Sequence, residues 1–94
     1  MAAKKNMVWL DGRIVDAEKA KVPILTHSLQ YGSGIFEGIR SYHTDKGPAI
    51  FRLDDHVKRF FATAKIYGMD LGLTHEQMAS AILKTVKASG LKEC

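Results

Sequence analysis

Two clusters in this 94-residue sequence hold side chains that could do chemistry. The first is Tyr31 to Arg40, YGSGIFEGIR, where Gly32, Gly34 and Gly38 surround a single phenylalanine. Strands normally avoid glycine, which loses backbone entropy and offers nothing to pack. In an extended segment alternate residues share a face. One face is then Gly34, Phe36, Gly38 and Arg40, and the other is Ile35, Glu37 and Ile39. The second face can join a core, provided Glu37 finds a partner there. The first sets a ring between two bare backbone positions. That arrangement fits either a bulge in a twisted strand or a floor where a ligand approaches the backbone.

The second cluster is His56, Arg59 and Thr63, spaced to share one side of a helix. Arginine offers a planar fork of donors that suits phosphate or carboxylate. Read by itself, Arg59 sits at the edge of the apolar stripe, with its stem on the core and its head in water. The four histidines and Cys94 lack metal-ligand spacing, so no metal site is expected. No phosphate-loop or nucleophile-elbow motif occurs. A lysine that forms an imine needs a lowered pKa. The lysines here fall in polar segments or on solvated helix sides, so no catalytic residue is expected within this chain.

The elements that must position these clusters read as follows. Val8 to Leu10 and Arg13 to Val15 flank Asp11-Gly12, a strong hairpin signal. Residues 17–21 are a polar connector, and Val22 to Leu25 is extended before a short helical turn at 26–30 that ends at Tyr31-Gly32. Residues 34–43 and 49–52 are predicted to pair as antiparallel strands across a Thr-Asp-Lys-Gly-Pro turn. A helix is predicted over 54–67, with Asp54 as N-cap, Gly68 just past its end, and Val57, Phe60, Phe61, Ala64 and Tyr67 on one stripe. A second helix opens on a Thr74–Gln77 capping box, presents Met78, Ala79, Ile82, Leu83 and Val86, and ends at Gly90. Strands first and helices second make an α+β fold: a small antiparallel sheet with two C-terminal helices packed on it.

Composition agrees with one small folded domain, at 46% apolar and 26% charged residues. The net charge of +4 is spread over scattered lysines rather than gathered into a basic run, which argues against nucleic acid. No segment has the length or hydropathy to span a membrane. A lone cysteine and the lack of an apolar leader lead us to expect a soluble, cytoplasmic protein.

Three strings taken together, HSLQYGSGIFEGIR at 27–40, GPAIFRLDDHVKR at 47–59 and AKIY at 64–67, resemble the start of a branched-chain amino acid aminotransferase, a fold-type IV pyridoxal-phosphate enzyme. WLDGRIVDAEKAKVPILTH at 9–27 also fits. The resemblance implies that residues 1–94 form the N-terminal small domain. The large domain, with the lysine that carries the cofactor, would lie outside this chain. It implies pyridoxal 5'-phosphate as cofactor, with Arg59 on its phosphate and His56 and Thr63 in support. Phe36 and Gly38 would line the substrate pocket, with Arg40 near that wall and Tyr31 reaching the neighbouring subunit's pocket. The implied reaction moves the amino group of valine, leucine or isoleucine to 2-oxoglutarate. The implied partners are the amino acid and 2-oxo acid substrates, the C-terminal domain and a second copy in a homodimer or higher homo-oligomer. The fragment alone is expected to be inactive. A D-amino acid aminotransferase or aminodeoxychorismate lyase shares the layout, and a non-catalytic stand-alone module is the reading from another class.

Overall fold

The computed structural model describes residues 6–94. Met7–Leu10 (β1) and Arg13–Asp16 (β2) form an antiparallel hairpin with Trp9 opposite Ile14. Asp11 and Gly12 both take positive φ, 50° and 90°. That is the backbone a tight hairpin needs, and Asp-Gly tolerates it. A 3-10 turn at Ala17–Lys19 follows, its first residues held by the Asp16 carboxylate accepting from the Glu18 N–H. The short helix His27–Tyr31 (α1) ends where Gly32 turns left-handed, as the sequence suggests.

Ser41–Thr44 (β3) and Gly47–Ile50 (β4) form a second antiparallel pair. Helices Leu53–Ile66 (α2) and His75–Ser89 (α3) complete the order. The fold is therefore α+β, with two two-stranded sheets among the described residues rather than one larger sheet. Helix α3 lies against α2, the first hairpin and β4. Small residues bring these layers together: Val57 and Ala64 are each 2% exposed, and Ala81 is also buried. Ser41 is also buried, and its backbone exchanges two hydrogen bonds with Cys94, at 2.7 and 3.1 Å.

Both strands of the second pair, and the start of α2, differ from the sequence reading. The predicted strand over 34–43 becomes regular only at Ser41, because no strand lies alongside residues 34–40 among the described residues. A ladder needs a neighbour, whereas exposure follows the pattern of side chains, and that pattern persists. Ile35, Glu37 and Ile39 are half-buried while Gly34, Phe36, Gly38 and Arg40 are exposed. The predicted 49–52 strand is likewise shifted, running over Gly47–Ile50.

The N-cap of α2 is Arg52, not Asp54. Arg52 stands left-handed at φ 53°, and its Nε donates to Asp55 Oδ2 at 2.8 Å. That contact gives a non-glycine residue a local partner in a conformation that usually favours glycine. Asp54 and Asp55 fall in the first turn, where the helix dipole favours them. The Thr74–Gln77 capping box forms in full, with Thr74 Oγ1 accepting from the Gln77 N–H and the Gln77 side chain accepting from the Thr74 N–H.

Candidate functional site

Glu37 links the glycine-rich stretch to helix α2. Its side chain is only 8% exposed and closes an apolar hollow lined by Ile39, Val57, Phe60, Met78 and Ile82. A carboxylate buried there needs compensation, and α2 supplies it twice. Arg59 donates from Nε to Oε2 and from Nη2 to Oε1, both at 2.7 Å. His56 meets Oε1 through Nδ1 at 2.7 Å. An ionised carboxylate only accepts, so Nδ1 carries the hydrogen. His56 and Arg59 are one helical turn apart, which lets both reach the same group.

The electrostatics follow from this geometry. The Arg59 fork, then the His56 ring, lower the Glu37 pKa from its ordinary 4.5 to about 2. The same hydrogen bonds raise Arg59 above its usual value. Asp55 is lowered in turn by its bond to Arg52. Arg59 is still 67% exposed. Its contact with Glu37 uses the Nε and Nη2 edge, and Nη1 has no partner among the described residues. The guanidinium thus has one occupied edge and a free end beside Phe51, Arg52, Asp55 and His56. A phosphate or carboxylate is the natural ligand for such an end.

Phe36, the neighbour of Glu37, is 88% exposed. A Cβ at Gly34 or Gly38 would meet none of the described residues within 4 Å beyond its chain neighbours, so these positions leave open space on either side of the ring. The structure therefore puts Glu37 against the helix and turns Phe36 outward at the next residue. Arg40 is exposed on the Phe36 side of the alternation, and its carbonyl accepts from the Phe51 N–H at 2.9 Å. Tyr31 stands apart at the end of α1, 77% exposed, with its ring 4.7 Å from that of His27. Thr63 does not turn toward the fork; its hydroxyl donates to the Arg59 carbonyl at 2.9 Å. Sequence reasoning asked for a partner to Glu37 without naming one. The signal that finds it is a histidine and an arginine three positions apart beside an apolar helix stripe. Among the described residues no cluster of His, Cys, Asp and Glu could hold a metal ion, and no helix is long and apolar enough to cross a membrane.

No family model matches the chain. The curated branched-chain amino acid aminotransferase of Pseudomonas aeruginosa is 38% identical over 92 residues, spanning 98% of this chain and 30% of that protein. The solved T.th. branched-chain amino acid aminotransferase, complexed with N-(5'-phosphopyridoxyl)-L-glutamate, superposes with a TM-score of 0.91 at 44% identity, over 99% of this chain and 31% of that one. This chain matches the N-terminal region of the branched-chain amino acid aminotransferases. The branched-chain aminotransferase from Thermoproteus uzoniensis, solved with norvaline, gives a TM-score of 0.86 at 49% identity, over 94% of this chain and 30% of that one. The chain spans about 30% of the length of the curated branched-chain aminotransferases it matches. Its two small sheets and two main helices are the α+β architecture of their N-terminal domain.

Proposed function

We propose that this chain is the N-terminal domain of a pyridoxal-phosphate-dependent branched-chain aminotransferase, which moves the amino group of valine, leucine or isoleucine to 2-oxoglutarate. The observation that carries this reading is the alternation at 36 and 37. An exposed aromatic ring stands beside a carboxylate that clamps Arg59 against α2. Related structures hold pyridoxamine 5'-phosphate and the phosphopyridoxyl adduct of glutamate. When bound, such a cofactor supplies an electron sink for the carbanion at the amino acid's α-carbon.

The residues here fit the phosphate end of that group. Arg59 keeps Nη1 free beside a hollow on α2, which supports a role in holding the phosphate. Phe36 and Gly38 supply an apolar wall with room beside it for an aliphatic side chain. Burying such a side chain contributes about 1.5–3 kcal/mol. Arg40 lies on the Phe36 side of the alternation, near that wall, and the exposed Tyr31 is assigned to the neighbouring subunit's pocket. In this reading the lysine that holds the cofactor belongs to a C-terminal domain, and we expect transamination only when this chain is joined to it. The exposed apolar run of Val22, Ile24, Leu25, Leu29 and Tyr31 suits burial against that domain and a second copy in a homodimer. The free Cys94 suits a reducing, cytoplasmic compartment.

The test is a chimera in which this chain replaces the matching N-terminal part of the Pseudomonas aeruginosa relative. We expect transamination of L-leucine with 2-oxoglutarate, and a loss of cofactor affinity in Arg59→Ala. A chimera that prefers D-alanine would move the assignment to a D-amino acid aminotransferase.

A further inference from the structure

We propose that Glu37 is the positioning residue for Arg59, fixing one edge of its guanidinium so that the free end meets a phosphoryl oxygen. The inference rests on the phosphate role given to Arg59 above and extends it to a residue outside that role.

An exposed arginine has many rotamers, and fixing them on binding costs affinity. Here the freedom is already removed. Glu37 takes Nε and Nη2 at 2.7 Å each, a two-point contact that sets the plane of the fork as well as its position. The carboxylate is itself held, being 8% exposed and bonded to His56 Nδ1 at 2.7 Å. Thr63 cannot substitute, since its hydroxyl is committed to the helix backbone. What remains is the outer end of the guanidinium, Nη1 with the second hydrogen of Nη2, directed away from Glu37.

Charge alone argues against this arrangement, because a carboxylate beside the fork repels an incoming anion. Charge and orientation therefore give opposite signs when Glu37 is neutralised. If the carboxylate matters only as a charge, Glu37→Gln binds phosphate more tightly. If it matters by positioning, Glu37→Gln binds more weakly despite its extra net positive charge.

The experiment is a titration of the 94-residue chain with inorganic phosphate, read from the nitrogen-15 side-chain signals of Arg59. In the wild type we expect a slowly exchanging Arg59 Nε–H whose signal shifts with phosphate. In Glu37→Gln we expect faster exchange and about tenfold weaker binding, the loss of roughly one charge-assisted hydrogen bond's worth of preorganisation. Glu37→Asp keeps the charge but shortens the reach, and we expect it to weaken binding too. It decides the matter if the Gln variant loses its folded backbone spectrum. Equal or tighter binding by the variant overturns the positioning role and leaves Arg59 as an anion site. A wild-type chain whose Arg59 does not respond to phosphate overturns the anion reading and this inference with it.

Discussion

Helices α2 and α3 bury Val57, Ala64 and Ala81, whereas residues 22–40 hold Ile24, Leu25, Tyr31 and Phe36 in solvent. The difference lies in where each region's hydrogen bonds and contacts come from. The helices satisfy their own backbone, and their small residues let them approach each other and the hairpin. The 22–40 stretch has one short helix and, among the described residues, no strand partner, and it touches α2 through Glu37. The first region makes the fold. The second is carried by the fold and displayed. An exposed apolar stretch fastened to the rest of the fold at Glu37 and Arg40 is what a binding surface requires and what a core does not.

The greatest loss is expected at Val57, on the buried side of this contrast. An aspartate there puts an unpaired carboxylate into the core, and we expect a loss of about 3 kcal/mol or more, enough to abolish a cooperative urea transition in a domain this small. Acid comes next. Glu37 is ionised in the fold down to about pH 2 but takes up a proton near 4.5 when unfolded. Its contribution is therefore complete above pH 4.5 and declines as pH falls from there through 2. Asp55 is lowered as well and adds in the same direction. Urea midpoints across that window should be flatter in Glu37→Gln than in the wild type. A curve of unchanged slope would detach Glu37 from stability.

A smaller effect is expected at the start of α3. Thr74→Ala removes the acceptor for the Gln77 N–H, and about 1 kcal/mol should be lost in thermal or urea unfolding. The least change is expected in the displayed region. Phe36→Ala should alter stability by less than about 0.5 kcal/mol, since the ring has little to lose on truncation. A loss of about 2 kcal/mol there would mean that the ring belongs to a core after all, and the contrast between the two regions would fail.

What was legible in the sequence was what local chemistry decides. Asp11-Gly12, the Thr74 box, and the stops at Gly32 and Gly90 are each set by a few adjacent residues, and all four stand where expected. The in-and-out order of 34–40 was legible too, because side-chain alternation needs only an extended backbone. The missing ladder was not, since pairing depends on a neighbour that a single segment cannot reveal. Nor was the start of α2, where a left-handed Arg52 answers to Asp55 rather than to any propensity. At the site, Arg59 read by itself was a boundary residue with a solvated head. The carboxylate that gives its fork a direction lies 22 positions away in sequence. The need for that contact could be seen at Glu37, but its partners could not.

Phe36, on this reading, belongs to a substrate wall and contributes little to the fold. The measurement that bears on it most closely is kcat/KM for L-leucine in the chimera, wild type against Phe36→Ala, with cofactor affinity measured alongside. We expect a fall of about tenfold or more, the loss of roughly 1.5 kcal/mol of side-chain contact, with cofactor affinity and folding unchanged. An unchanged kcat/KM in a folded, cofactor-loaded chimera would contradict that role for the ring.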